Sequence, residues 1–354
     1  MILTNELTRR EMLAGLGGGS VLGLGSYTMA AAPPAPPNIV FIMADDLGYA
    51  DVGIYGRDDV KTPNIDALAK RGVRFTQAYA NSSVCSASRA ALITGRYQYR
   101  LRLGLEEPLG GGHDIGLPPA HPTLPSLLKR QGYQTVLIGK WHLGSLPRFG
   151  PLQSGYDHFF GHRGGAVDYF THKGPSGSAD LWEDNVSVEQ QGYITELFGD
   201  RAVQMVNQCS ASKHPFLLSL HFNAPHWPWE LPGDMAEARR IAGSNLQHHD
   251  GGTQQIYCGM IEAMDVQIGR VMGALQNKGL LRNTIVIFTS DNGGERFAKT
   301  WPFSGQKTEL LEGGLRIPAI VSWPAQLPGN RVIEQTAMHM DWLPTLLAAS
   351  GGGT

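Results

Sequence analysis

Four long runs of apolar, β-favouring residues constrain the fold of this chain most strongly. They span residues 38–43, 135–139, 215–222 and 283–290. Each run is continuously apolar, a pattern typical of strands that are buried on both faces of a parallel sheet. Amphipathic segments lie between the runs, the longest at about 255–279, and favour helices that cover the sheet. We therefore expect an α/β fold with a large, mostly parallel central sheet flanked by helices. Residues 73–79 are expected to form one further strand, and the stretch after Pro228 to about residue 250 a loop.

Acidic and amide side chains follow two of these predicted strands. Asp45 and Asp46 come directly after the first, and Asp291 and Asn292 after the last. Open α/β sheets bind ligands at the carboxyl ends of their strands, and adjacent buried acids repel each other unless a cation lies between them. Carboxylate and amide oxygens suit a hard divalent cation such as Ca²⁺ or Mg²⁺. A solvated turn is the alternative interpretation of the Asp-Asp pair.

Basic residues follow two further predicted strands. Lys140 and His142 come after the run at 135–139, and His226 follows the run at 215–222. Lysine is rarely buried, so Lys140 at the end of an apolar strand needs an anionic partner. On extended backbone, Lys140 and His142 would point to the same side. A single histidine such as His226 is usually structural, but its place at a strand end resembles that of Asp45.

A short apolar helix is predicted to begin at Cys85 and to end at Gly95. Arg89 lies one turn after Cys85, on the same face. The amide groups at a helix N-terminus and a neighbouring guanidinium both favour anions. The segment therefore predicts an oxyanion site that contains a nucleophile. The alternative is that Cys85 is a small buried hydrophobe.

The spacing around Cys85 resembles the signature of the type I sulfatases, arylsulfatase-like members of the alkaline-phosphatase-like superfamily. Cys85, Ala87 and Arg89 form C-x-A-x-R before A-A-L-I-T-G-R; the family most often has proline where this chain has Ala87. The segments at 139–144, G-K-W-H-L-G, and at 305–318, which contains Lys307, resemble two further family motifs. In all, five motifs occur in the family's order from about residue 38 to the end.

The resemblance implies a site and a reaction. One Ca²⁺ would be held by Asp45, Asp46, Asp291, Asn292 and a formylglycine made from Cys85. The hydrated formylglycine would attack the sulfur of a sulfate ester and release inorganic sulfate. His226 with Lys307 would protonate the leaving alcohol, and His142 would take a proton during release of sulfate. The implied catalytic set is Cys85, Arg89, Lys140, His142, His226 and Lys307.

Two other functions stay open at this point. A phosphate or phosphonate ester hydrolase of the same fold is one, although two-zinc members typically have Asp-His where this chain has Asp291 and Asn292. An inactive, truncated product is the other. For a sulfatase, a carbohydrate or aryl sulfate is the expected substrate, contacted by residues of 149–207, and a formylglycine-generating enzyme is the expected partner.

The net charge of the protein bears on its binding partners, and its N-terminal segment bears on its cellular location. The net charge of −2, from 29 basic and 31 acidic residues, favours neither nucleic acid nor an anionic membrane as partner. Residues 1–32 resemble a twin-arginine signal peptide, with Arg9 and Arg10 before an apolar run too short and glycine-rich to span a membrane. We therefore expect an exported bacterial protein, periplasmic or extracellular.

The other two cysteines and the length of the chain predict the disulfide state and the domain organisation. Three cysteines cannot form a disulfide framework. One pair, Cys209 with Cys258, remains possible if Cys85 is modified, but we expect both to be free core residues. Residues 38–350 are predicted to form the catalytic domain. Sulfatases usually continue into a smaller C-terminal domain, which we expect to be missing because the chain stops at Thr354.

Overall fold

A computed structural model describes residues 35–110, 114–242 and 251–351 of the protein. The strands are β1 (Asn38–Ala44), β2 (Val73–Phe75), β3 (Ala78–Tyr79), β4 (Gln134–Lys140), β5 (His158–His162), β6 (Trp182–Glu183), β7 (Val186–Ser187), β8 (Phe216–His221), β9 (Thr284–Ser290), β10 (Ala319–Ser322), β11 (Arg331–Ile333) and β12 (Ala337–Met338). The helices are α1 (Pro63–Arg71), α2 (Cys85–Thr94), α3 (Leu124–Arg130), α4 (Ile194–Ser210), α5 (Met235–Ala242), α6 (Gln254–Asn277), α7 (Glu312–Leu315) and α8 (Trp342–Ala349).

The main sheet has the strand order β11-β2-β10-β9-β1-β8-β4-β5-β6-β7. Its centre is parallel: β1 pairs with β8 and β9, and β4 pairs with β8 and β5. Towards the edges β10, β6 and β7 pair antiparallel with their neighbours. The predicted α/β fold with a mostly parallel central sheet is therefore confirmed.

Helices cover both faces of the sheet, which explains the continuous apolar runs. Along β1, Val40 and Ile42 belong to the cluster that includes residues of α1, α4 and α6. Ile39 and Phe41 belong to the opposite cluster, with residues of α2, α3 and α8. Because alternate side chains of a strand face opposite sides, a strand covered on both faces needs apolar residues at every position.

The structure corrects two expectations about secondary structure. The segment 73–79, expected as one strand, forms β2 in the main sheet and β3 in a two-stranded sheet with β12. The chain changes sheet at Thr76 and Gln77, which pair with Ile333 and Ala337 outside the regular ladders. The stretch expected as a loop to about residue 250 contains α5, whose Glu237 and Arg240 pair one turn apart.

The structure tests the expected state of the cysteines but not the expected signal peptide. Cys209 and Cys258 are free and buried, as predicted. The expected signal peptide lies outside the described residues. A search of the described part of the chain finds no helix with the length and apolar character needed to cross a membrane.

Candidate functional site

The carboxyl ends of β1 and β9 bring four of the predicted site residues together. These strands are parallel neighbours with Ala44 opposite Ser290, so the residues that follow them meet at one sheet edge. The Asp46 amide donates to Asp291 Oδ1 at 3.2 Å, and Asn292 Nδ2 donates to Asp46 Oδ1 at 2.8 Å. Asp45, Asp46, Asp291 and Asn292 are all buried. The topology thus concentrates three carboxyl groups in a place without free access to water.

Cys85 begins α2 and is buried, with 2% of its surface exposed. Burial raises the pKa of its thiol to about 12, and the nearby lysines only partly oppose this. The thiol therefore stays protonated near neutral pH. Because the thiolate is the nucleophilic form of cysteine, unmodified Cys85 is a poor nucleophile here.

Arg89 joins α2 to the ends of two strands. Its Nε and Nη2 donate to Asp291 Oδ2 at 3.0 and 2.9 Å, and Nη1 donates to the Lys140 carbonyl at 3.1 Å. Nη2 also lies 3.7 Å from Asp45 Oδ1. The guanidinium is thus fixed by a carboxylate on one side and by the backbone on the other.

Two lysines neutralise the Asp-Asp pair. Lys140 Nζ donates to Asp45 Oδ2 at 2.6 Å, and Lys307 Nζ donates to Asp46 Oδ2 at the same distance. Lys140 is fully buried, so the anionic partner expected for it is Asp45. Lys307 comes from the loop after β9 and faces the pocket. The extended backbone expected for residues 140–142 is not observed, because β4 ends at Lys140 and His142 has a positive φ of 55°.

Burial and neighbouring charges separate the pKa values of the carboxyl groups. Burial, with the charge of Asp291 next in importance, raises the pKa of Asp45 well above its usual value. Burial also acts on Asp46 and Asp291, but Lys307 and His226 lower the pKa of Asp46, and Arg89 and Lys140 lower that of Asp291. The cationic neighbours therefore keep two of the carboxyl groups ionised.

Each histidine of the predicted site has one ring nitrogen fixed by a carbonyl. His226 Nδ1 lies 2.6 Å from the Trp227 oxygen, and its Nε2 lies 3.5 Å from Asp46 Oδ2. His142 Nε2 lies 3.1 Å from the Leu109 oxygen. A carbonyl only accepts, so these contacts place the hydrogens on His226 Nδ1 and His142 Nε2. His142 Nδ1 is buried and has no hydrogen-bond partner among the described residues.

The donor set fits a hard divalent cation. Ligand atoms of Asp45, Asp46, Cys85 and His226 lie within 4.8 Å of one another. Asp45 Oδ1 and Asn292 Oδ1 are buried and lack a hydrogen-bond partner among the described residues. Buried oxygens normally have a partner, so two such atoms beside further carboxylates are a specific reason to expect an ion. His226 belongs to this cluster, although the sequence predicted it only as a proton donor.

A pocket of about 910 Å³ opens above this cluster. Cys85, His142, His226 and Lys307 line it. Of the aromatic residues in the segment 149–207, Trp182 lines the pocket, whereas Tyr156, Phe159, Phe160 and Tyr169 are in the hydrophobic cores. Arg163 and Asp180 also line it. Sequence reasoning missed these two, because each is a single charged residue in a segment without a recognisable motif.

Comparison with known proteins gives one family match, and it covers most of the chain. Residues 37–352 match the family model described as Sulfatase. N-acetylgalactosamine-6-sulfatase of Rattus norvegicus is 31% identical over 94% of this chain and 64% of its own length. Arylsulfatase A of Bos taurus is 35% identical over 90% of this chain and 65% of its own length. The chain therefore spans about two thirds of the length of these relatives.

A solved structure agrees with these matches. The structure titled as Ps i-CgsB in complex with k-i-k-neocarrahexaose superposes on this chain with a TM-score of 0.80 and 34% sequence identity. The match covers 90% of this chain and 73% of that one.

Proposed function

The chain belongs to the sulfatase family, and we propose that it hydrolyses sulfate esters and releases inorganic sulfate. One observation carries the proposal: Cys85 starts a helix beside Asp45, Asp46 and His226, with all four ligand atoms within 4.8 Å. Arg89, Lys140 and Lys307 contact the carboxylates of the same cluster. Of these three, Lys307 lines the pocket, so a sulfate ester that entered it would meet the fixed positive charge of Lys307.

Two groups would complete the site. Ca²⁺ held by Asp45, Asp46, Asp291, Asn292 and the side chain from Cys85 would polarise a sulfate oxygen as a Lewis acid. Formylglycine made from Cys85 would supply, as its hydrate, a hydroxyl nucleophile that a thiol with a pKa of about 12 does not provide.

The cationic side chains stabilise charge that develops on the sulfuryl oxygens. Lys307 faces the pocket, and its Nζ, anchored to Asp46 at 2.6 Å, is in position to contact substrate. Arg89 is buried against Asp291 and fixes the start of α2 relative to β9. Such charges act strongly because they are oriented before the reaction begins and lie in a site with little water.

The two histidines exchange protons at defined atoms. With its hydrogen on Nδ1, His226 has an unprotonated Nε2 towards the pocket and Asp46, so Nε2 first takes a proton from the Lys307 ammonium and then passes it to the leaving alcohol. His142 has its hydrogen on Nε2, and its Nδ1 has no hydrogen-bond partner in the described part of the chain. Nδ1 of His142 is therefore the atom that accepts a proton as sulfate departs.

The substrate we propose is a sulfated carbohydrate. Two relatives support this: one is named for a sulfate on N-acetylgalactosamine, and a similar structure holds neocarrahexaose. A pocket of about 910 Å³ has room for a sugar ring beyond the ester. Trp182 in its wall offers an apolar surface of the kind that sugar rings pack against.

Maturation and export complete the proposal. We propose that a formylglycine-generating enzyme acts on the segment around Cys85, where Ala87 stands at the position of the more frequent proline. The twin-arginine pair at Arg9 and Arg10 supports export as a folded protein to the periplasm or beyond. Fusion of residues 1–37 to a reporter tests the export step, since replacement of both arginines by lysine should retain the reporter in the cytoplasm.

The experiment that tests the function starts from protein co-expressed with a formylglycine-generating enzyme. Mass spectrometry of the tryptic peptide 75–89 measures conversion of Cys85, and elemental analysis measures bound metal. We expect converted, calcium-loaded protein to release sulfate from sulfated monosaccharides or 4-nitrophenyl sulfate, and Cys85→Ala to release none. Fully converted, metal-loaded protein that hydrolyses phosphate or phosphonate monoesters but no sulfate ester would contradict the proposal.

A further inference from the structure

Arg163 occupies a position in the pocket wall that the reaction described above does not use. It is the first residue after β5, and its carbonyl accepts a hydrogen bond from the His142 amide at 3.2 Å. Its side chain lines the same pocket as Cys85 and Lys307, although only 6% of the residue is exposed. Arg163 therefore shares the pocket with the groups that we propose to react.

The Arg163 guanidinium is held in place but is only partly bonded. Its Nη2 donates to the Asp184 carbonyl at 2.8 Å and lies 3.3 Å from Asn185 Oδ1. Its Cζ lies 4.1 Å from the centre of the Trp182 ring. Nε and Nη1 are buried and have no hydrogen-bond partner among the described residues. Two of the three nitrogens thus have no hydrogen bond within the described part of the chain.

The charge of Arg163 also lacks an ion-pair partner. Among the described residues, Arg89, Lys140 and Lys307 each have a carboxylate within 4 Å, and Arg163 has none. The negative charge of Asp180 acts on it from a longer distance. The Asp180 oxygens, however, accept hydrogen bonds from the amides of Arg163 and Gly164 and from Trp182 Nε1.

Burial of a cation without a full set of partners destabilises the folded protein, so a functional role would explain why Arg163 is at this position. Burial lowers the pKa of Arg163 to about 10, opposed by Asp180. The guanidinium is therefore still charged at neutral pH. An apolar side chain of similar size would be less costly at this position. A charged group oriented in a pocket wall, with free donors, is what an oxyanion ligand requires.

We propose that Arg163 binds a second anionic group of the substrate, a sulfate or carboxylate on the same sugar or the next one, and so selects polyanionic glycans over simple sulfate esters. This inference deepens the proposed function and rests on it, since it takes the pocket as the substrate site. Trp182 orients the guanidinium by covering one of its faces. Arg163 is thus a specificity residue outside the sulfate-cleaving cluster.

Ligand binding to an inactive variant tests the role of Arg163 independently of sulfate-ester hydrolysis. The test uses Cys85→Ala protein with bound calcium, and titration calorimetry with monosulfated hexoses, disulfated hexoses and a sulfated uronic acid. We expect Arg163→Met to weaken binding of the dianions by about ten- to a hundredfold, the value of one or two charge-assisted hydrogen bonds. Monosulfated hexoses should lose less than about threefold. Whichever dianion loses more identifies the second group as sulfate or carboxylate.

Arg148→Met is the matched control. Arg148 is exposed on the loop after β4 and stacks on Phe149, so its replacement removes one positive charge near the pocket without removing a wall residue. Equal losses for mono- and dianions in Arg163→Met, or equal losses in the two variants, would overturn the proposal. Arg163→Lys, which keeps the charge but not the planar stack, should show an intermediate loss and replaces Arg163→Met if that variant unfolds.

The outcome for Arg163 is independent of the outcome for sulfatase activity. Preferential loss of dianion binding supports the Arg163 site even if matured wild-type protein hydrolyses no sulfate ester. Conversely, turnover of sulfate esters with no preference for dianions in the wild type would support the proposed function and refute the role of Arg163.

Discussion

Arg89 contacts Asp291 through two nitrogens, Nε at 3.0 Å and Nη2 at 2.9 Å from the same Oδ2 atom. The contact joins the helix that begins at Cys85 to the end of β9. Both partners are almost completely buried. The same ion pair therefore fixes the position of the nucleophile and keeps Asp291 ionised for a metal.

Arg89→Met should destabilise the protein strongly. The substitution leaves Asp291 as a buried charge without its main partner, which typically costs ~3–5 kcal/mol. Urea denaturation of metal-free protein measures the change in unfolding free energy. Arg96→Met, just after the same helix and exposed, is the control and should change it little. A loss for Arg89→Met as small as that of the control would mean that the pair does not hold the site together.

Chelation should lower the melting temperature of the wild-type protein, and calcium should restore it. A ligand that binds only the folded state stabilises that state by mass action. Burial and the charges of Asp291 and Asp46 raise the pKa of Asp45 more than Lys140 and Arg89 lower it, so the carboxyl groups still favour a further cation. Differential scanning fluorimetry with EDTA and with added Ca²⁺ measures the shift. Asp45→Asn should reduce the shift, whereas Asp66→Asn on α1, away from the cluster, should keep it. A shift of equal size in both variants would contradict this metal site.

The sequence predicted the central sheet because its strands have a simple physical signature. Strands buried on both faces need apolar residues at every position, so β1, β4, β8 and β9 are readable without knowledge of their neighbours. The short edge strands β6 and β7 are two residues long. Pairing partners, rather than local composition, determine such strands, so their sequences carry no comparable signal.

The residues around the Asp45-Asp46 pair could be predicted from the sequence, whereas Arg163 and Asp180 in the pocket wall could not. Lys140 is the last residue of β4, and Asp45 and Asp291 directly follow β1 and β9. Topology alone brings such strand ends together. Arg163 and Asp180, in contrast, come from the long segment between β4 and α4. The position of Arg163 against Trp182 depends on how that segment packs over the sheet edge, which no short motif encodes.

Gly165→Ala should impair turnover without unfolding the protein. A Cβ at this position would lie 2.8 Å from His142 Cε1 and 2.9 Å from Nε2, so the ring must leave its hydrogen bond to Leu109. We expect a fall in kcat of about tenfold or more, because small misplacements of a proton-transferring group are costly. Gly174→Ala, also in the pocket wall, is the matched control, since its Cβ would be no nearer than 3.8 Å to other atoms. Equal kcat values for both variants would argue against a role for His142.

Glu230 should make stability fall as the pH rises. Burial and the neighbouring Asp168 raise its pKa to about 9, against ~4.3 in an unfolded chain. Between these values the folded protein holds a proton that the unfolded chain has released, so the stabilisation is complete below pH ~4 and is lost as the pH approaches 9. Glu230→Gln should remove this dependence, with unfolding free energy exceeding that of wild type at pH 8 by up to roughly 5 kcal/mol and matching it near pH 4.

Chemical denaturation across this pH range distinguishes Glu230 from the many other titrating groups. Glu189→Gln removes an exposed carboxylate and should leave the wild-type slope unchanged. Since the Glu230 side chain accepts a hydrogen bond from the Tyr169 amide at 3.1 Å, the amide oxygen of glutamine preserves that contact, and the comparison isolates the proton. Parallel pH profiles for wild type and Glu230→Gln would show that Glu230 titrates near its ordinary pKa.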